Sequence, residues 1–439
     1  MTPILAALLA WAPTAAAAPP PARPGAPVSS HAMVHTCCTP AAMKERIFAE
    51  SKAMGARFIR VDVELSGIFG AGDPAEDDPD WTRLDAVLEL SRRHQLPVLG
   101  IVLHPPGWAP PHDAETFGRL AGEVAAHARD TITRWEIINE PDGAWAFDGT
   151  PEQYARMLRA AYDAIGVRAP EAAVAMGGVM TPENPAWIER VLATPGADAA
   201  HAFDIANLHL RGHERGLPGV FAAWRDRLAG YGFAGPVWVT EHGYPTDPAY
   251  QTDPAFRGGE PAQAAFLTES VLSLAEAGAA EVFVTLRDNL DGGFASEGVV
   301  DIDDHAPFGA RRKPAFTAVR RLVDRWDELM AARAEGRLAE EAARAELAEA
   351  AGWRLRAAVH RVAARGLPAK LKRLRARYRR ARRERVRTRL YRTIDFTSLA
   401  LGRARSDAGW ARAMARLYAL RAELHHAHAA GRAAFVAGG

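Results

Sequence analysis

Residues 135–141 read Trp-Glu-Ile-Ile-Asn-Glu-Pro, and this stretch decides the fold. The apolar run Ile132–Ile138 delivers Asn139 and Glu140 to its C-terminal end, and Pro141 stops the strand because it lacks the N–H that a sheet ladder needs. Pro236-Val-Trp-Val-Thr-Glu241-His242-Gly243-Tyr244 has the same form, a hydrophobic strand ending in a glutamate. Outward from these two, strand-like runs recur at Ala32–His35, Phe58–Val63, Pro97–Leu103, Ala173–Gly177, Asp204–Leu208 and Glu281–Leu286. Most are continuously apolar, as parallel strands buried on both faces are. Helical segments separate them. Thr39-Pro40 and Thr150-Pro151 place a capping hydroxyl before a proline at the first helical position, and Asp80 can cap a helix over Trp81–His94. Eight β-then-α units of about 35 residues predict an α/β fold, a closed (β/α)8 TIM barrel over 31–325, rather than an open sheet. His35-Thr-Cys-Cys-Thr-Pro40, after the first strand, holds no Gly-rich phosphate loop.

A barrel takes roughly 250 residues, so a chain of 439 has room for more. Residues 326–439 are rich in Ala, Arg, Leu and Glu and poor in β-branched residues, which predicts a basic C-terminal α-helical extension. Its basic run, Lys370–Arg389, holds twelve Lys or Arg against the single acid Glu384, although the formal net charge of the chain is only +1. Such a density of like charge needs anionic partners, either the net-acidic barrel or an external polymer or envelope surface; nucleic acid is the weaker candidate. Residues 1–30 combine an apolar run, Ile4–Ala12, with an Ala-rich Ala15–Ala18 and a Pro-rich stretch. They read as a signal peptide and leader, which predicts a secreted or periplasmic protein. No later run reaches the roughly 18 apolar residues that span a bilayer. Cys37 and Cys38 are the only cysteines. Neighbouring Cα atoms lie closer than disulfides usually allow, so two reduced thiols are the expectation, with a strained vicinal bridge as the alternative in an exported protein.

Carboxylates at the C-terminal ends of barrel strands are catalytic by default. A pair facing one cleft suits glycosidic hydrolysis, where one protonates the leaving oxygen and the other attacks or activates water. The motifs PPGWAP, WEIINEP, MGGVMTP, FDIANLH, WVTEHGYPTD and LRDN, spread over 31–325, resemble glycoside hydrolase clan A, and most of all family 39 and its exopolysaccharide-degrading relatives. That resemblance implies retention of configuration, with Glu140 as acid/base, Glu241 as nucleophile and Asn139 on the sugar 2-hydroxyl. It implies that Arg60 lies under the nucleophile and that His104, Trp108 and His209 contact sugar. Trp108, Trp145 and Tyr244 offer aromatic faces for pyranose C–H surfaces. The substrate would be a polysaccharide or oligosaccharide. A transglycosylase or a catalytically silent sugar-binding barrel would share these residues.

The chain departs from the clan in two places. Leu210-Arg211 stands where an aromatic usually follows the strand-six histidine, and no Trp lies within Val282–Arg287 on strand eight. Arg211, Arg287 and Asp288 are expected to line the cleft instead, and two cations would suit an acidic substrate. No metal site is expected, since His104 with His112, and His425, His426 and His428, look incidental. No cofactor motif is present.

Overall fold

Eight runs of buried apolar residues form eight parallel strands, and each of the eight predicted strands is found within a few residues of its expected place. The computed structural model describes residues 25–70, 78–182, 185–211, 216–247, 258–288, 295–301, 311–380 and 384–438. The first half of the barrel comprises β1 (Val28–His35), α1 (Ala41–Met54), β2 (Ile59–Glu64), α2 (Leu65–Phe69), α3 (Thr82–His94), β3 (Val98–Leu103), α4 (Ala114–Ala128) and β4 (Arg134–Ile137). The second comprises α5 (Pro151–Arg168), β5 (Ala173–Met176), α6 (Ala186–Leu192), β6 (Ala206–His209), α7 (Leu217–Gly230), β7 (Val237–His242), α8 (Gly259–Glu276) and β8 (Ala279–Thr285). A short antiparallel pair, β9 (Val300–Asp301) and β10 (Arg311–Arg312), precedes α9 (Pro314–Asp324).

The strands run in the order β5-β4-β3-β2-β1-β8-β7-β6. The Ala175–Ile205 and Val179–Leu208 bridges join β5 to β6 and close the barrel. Phe58, Leu99, Ala175, Ile205, Trp238 and Phe283 meet in one buried cluster toward the N-terminal ends of the strands. The barrel is therefore plugged at that end, and the opposite rim is left for chemistry. The helices follow their sequence signals unevenly. Thr150 caps α5 in a full capping box, accepting from Gln153 N while the Gln153 side chain accepts from Thr150 N. Asp80 accepts from Thr82 N, although α3 begins at Thr82 with Trp81 at its N-cap. Thr39 does not cap α1; its hydroxyl accepts from His35 N and ties the loop back to β1.

Two expectations change. Val28, Ser29 and Ser30 pair with Val282, Phe283 and Val284 of β8, so the barrel begins before residue 31 and takes the last residues assigned to the leader. Residues 1–24 of that leader lie outside the described residues. Cys37 and Cys38 are joined as a vicinal disulfide, where two reduced thiols were expected. The bond sits in the turn after β1, where the loop already folds tightly enough for Cys37 N to donate to Glu64.

The chain divides into two compact units, Met1–Trp326 and Asp327–Gly439. The second is made of helices, as its composition predicts: α10 (Trp326–Ala364), α11 (Leu367–Arg380) and α12 (Glu384–Gly438). Of the basic run Lys370–Arg389, residues 381–383 lie outside the described residues. No helix among the described residues is long and apolar enough to cross a membrane.

Candidate active site

Arg60, on β2, is the hub of the site. It is 2% exposed and reaches four side chains, those of His31, Glu136, Asn139 and Glu241. Its Nε and Nη2 donate to Glu136 Oε2 and Oε1 at 2.9 and 2.8 Å, its Nη2 also donates to Asn139 Oδ1 at 2.6 Å, and its Nη1 donates to Glu241 Oε1 at 2.6 Å. The two-pronged Glu136 contact fixes the plane of the guanidinium, which leaves one edge aimed at Glu241. The expected ionic contact between Arg60 and Glu241 is thus present.

Glu241 is held from a second side by Arg211. Arg211 Nη2 donates to Glu241 Oε2 at 2.8 Å, while its Nε and Nη2 donate to Glu297 at 3.0 Å each. Burial opposes a charge on Glu241, yet His209 and the Arg60 and Arg211 guanidiniums together outweigh it and hold the carboxyl well below the usual carboxylate range. Glu241 is therefore an ionised carboxylate with a guanidinium on each oxygen. His31, fully enclosed, is pushed down to about 3 by burial, despite the pull of Glu241, so it stays neutral at physiological pH.

Glu140 approaches from β4. His209 Nδ1 lies 2.7 Å from Glu140 Oε1, and His209 Nε2 lies 3.2 Å from Thr240 Oγ1. The Thr240 hydroxyl donates its one proton to Asn207 Oδ1 at 2.8 Å, so it accepts from His209 Nε2–H. The tautomer is thereby set, and Nδ1 is the ring atom that faces Glu140. Glu140, Glu241 and His209 each offer an atom within 4.8 Å of the others. A retaining pair has carboxyl groups about 5 to 5.5 Å apart, against roughly 6.5 to 9.5 Å for an inverting pair. The nearest oxygens of Glu140 and Glu241 are thus close enough to face one substrate.

The backbone pays for this geometry. Ile138 and Glu140 have φ of +64° and +42°, a region that side chains adopt at a cost of about 1–3 kcal/mol each. Two glycines make the close approach feasible. A Cβ on Gly177 would lie 2.2 Å from Ile138 O, and one on Gly178 would lie 2.1 Å from His209 Nε2. Tyr154 locks the same corner, donating to Ile137 O and accepting from Gly177 N at 3.1 and 2.7 Å.

A cavity of about 620 Å³ opens over the carboxylates, lined by Glu140, Glu241, Asn139, Arg60, His104, Trp145 and their neighbours. His104 is exposed there, and Trp145 is 71% exposed on the rim. Other expected sugar contacts are elsewhere. His209 is 3% exposed and serves the two glutamates. Tyr244 is 3% exposed and packs on Phe266, so its ring fills core. Trp108 does not line the cavity; its indole N–H donates to Phe69 O at 3.3 Å. Arg287 donates to the carbonyls of Ala32 and Met33 in β1, and Asp288 accepts from Lys313 Nζ and Gly298 N, so neither lines the cavity.

Reading the sequence missed Glu136, Glu297 and His31. For Glu136 there was a signal, a lone acid inside the apolar run Ile132–Ile138 that burial obliges to find a cation. His35, on the cavity wall, meets Glu64 on its other side. His35 is pushed up to about 10 by hydrogen bonds to Asp62 and Glu64, which makes it a cation shared by two acids.

The architecture recurs in solved structures. The chain is similar to a family 39 glycoside hydrolase from the gut symbiont Bacteroides cellulosilyticus WH2, with 17% identity over 68% of this chain and 64% of that one and a TM-score of 0.52. It is similar to a family 39 β-xylosidase from Caulobacter crescentus, with 17% identity over 70% and 73% of the two chains and a TM-score of 0.53. It is also similar to an exo-β-1,4-mannosidase from Opitutaceae bacterium strain TAV5, with 16% identity, coverages of 68% and 60% and a TM-score of 0.50. The chain thus spans slightly less than two thirds of the first of these proteins. No family model matches the chain, and no curated protein matches it. At identities this low the likeness establishes the barrel, and the chemistry rests on the site.

Proposed function

We propose that the barrel is a retaining glycoside hydrolase acting on a polysaccharide or oligosaccharide. The observation that carries this reading is the pair of carboxylates within 4.8 Å at the open end of the barrel, one flanked by arginines and one by a histidine. Glu241 attacks the anomeric carbon while Glu140 gives its proton to the departing oxygen, so that one C–O bond forms as the other breaks. Glu140, now a carboxylate, takes a proton from water, which cleaves the glycosyl-enzyme and restores both groups. His209 holds Glu140 through this cycle and Arg60 holds Glu241. Asn139, anchored by Arg60 on the cavity wall, would hydrogen-bond a sugar hydroxyl. Export fits the apolar and Ala-rich start of the sequence.

One observation favours a second reading, a silent sugar-binding barrel: both oxygens of Glu241 are already engaged by guanidinium groups. Variants separate the two. On an aryl glycoside with a good leaving group, Glu241→Ala should abolish turnover, while Glu140→Ala should keep glycosylation, which then needs no proton, and recover deglycosylation with added azide. Equal sugar binding before and after Glu241→Gln, with no turnover in either protein, would establish the silent barrel.

A further inference from the structure

Within the C-terminal unit, α10 and α12 run antiparallel. Arg432 pairs with Glu335 at 2.5 Å and Arg421 approaches Glu346 at 3.9 Å, so a step up one helix matches a step down the other. Ala343, Ala350 and Ala357 of α10 and Ala408, Ala415, Ala422 and Ala429 of α12 are buried at seven-residue spacing, the repeat of a two-helix seam. On one side of that seam, Arg354 and Arg361 of α10 and Arg412 and Arg416 of α12 line a groove of about 250 Å³. Its remaining lining is Ala357, Ala415 and Ala419.

No acid lines this groove, and among the described residues none of the four arginines has a carboxylate partner. Arg344, Arg421 and Arg432 of the same unit each have a glutamate. At 1.5 Å per residue, Arg354 and Arg361 stand about 10 Å apart along α10, and Arg412 and Arg416 about 6 Å apart along α12. The guanidinium groups therefore form two rows facing one trough. Each has a planar fork of donors suited to a carboxylate or sulfate.

We propose that this trough binds a linear acidic polysaccharide, its carboxylates or sulfates held between the two arginine rows. A lipid surface is the poorer occupant, because the lining offers no apolar side chain larger than alanine and the exposed Leu417, Leu420 and Leu424 are not part of it. The basic run on α11, which draws attention in the sequence, is on this view a solvated flank. The proposal does not depend on what the barrel hydrolyses.

The test uses the full chain carrying Glu241→Gln, so that no polymer is cut, and measures retardation in native gels containing polygalacturonate. Replacing Arg354, Arg361, Arg412 and Arg416 with Glu should weaken the apparent Kd about tenfold or more. The same charge change at Arg373, Arg375, Arg377 and Arg379 of α11 should weaken it no more than about threefold. Circular dichroism checks that both proteins stay helical, and the corresponding Arg→Gln sets must give the same ranking. Equal losses in the two sets, no retardation of the parent, or binding confined to phosphatidylglycerol vesicles would each overturn the proposal.

Discussion

Arg60 and Arg354 are the same side chain under opposite conditions. Arg60 is sealed in the barrel, with Glu136, Glu241, Asn139 and His31 accounting for its donors; Arg354 is exposed, with no carboxylate partner among the described residues. A buried guanidinium has its charge matched by protein acids and acts by fixing their positions. An exposed and unmatched one is available to an outside anion, and its removal costs the fold little. The difference teaches that arginine content says nothing of function until burial and partners are known.

The sharpest way to break this contrast is Arg60→Met. It strands Glu136, which is fully buried, and removes one cation from Glu241. Removing one partner of a buried pair costs about 3–5 kcal/mol. Urea unfolding should show a loss of that order, and kcat should fall more than KM rises. A variant as stable as the parent would mean that the hub is ornamental.

Gly178→Ala comes next. The added methyl would sit 2.1 Å from His209 Nε2, so either the histidine or the β5 end must move. Misplacing a group that orients a general acid costs about 100-fold in rate. The loss should appear on substrates with poor leaving groups and shrink on activated aryl glycosides, which need little protonation. An equal loss on both would place the damage in the barrel as a whole.

How far the sequence anticipates these features depends on what kind of feature each is. The strands were legible because a strand buried on both faces must be apolar along its length, and β3, Val98–Leu103, has no other reading. Glu140 and Glu241 were legible because each ends such a strand. Orientation was not. Whether Tyr244 faces sugar or Phe266, and whether Arg287 faces the cleft or the carbonyls of Ala32 and Met33, is decided by neighbours more than 20 residues away in the chain. Glu297 follows a segment outside the described residues and carries no local pattern, yet it anchors Arg211.

A subtler effect is expected from Arg211→Met. Glu241 keeps Arg60, so the site survives, but one of the charges that depress its carboxyl is lost. Its pKa should rise toward the ordinary carboxylate range. Because the nucleophile must be ionised, the acid limb of kcat/KM should move to higher pH, with the rate above pH 7 changed less. A limb that does not move would mean that Arg211 serves Glu297 alone.

The smallest effect probes the helical unit on its own terms. Gly352 lies inside α10, and a Cβ built there meets nothing within 4 Å, whereas Gly178 has no room at all. In a helix interior, Gly costs roughly 0.5–1 kcal/mol relative to Ala, because the unfolded chain loses more freedom on ordering and no side chain shields the backbone. Gly352→Ala should therefore stabilise the helical unit by about that amount, through the unfolded state and not through any new contact. Thermal unfolding of the full chain followed by circular dichroism should place the helical transition a few degrees higher, while aryl-glycoside turnover stays as in the parent. If alanine lowers that transition instead, α10 is not a continuous helix at residue 352, and the antiparallel pairing that aligns the four groove arginines loses its support.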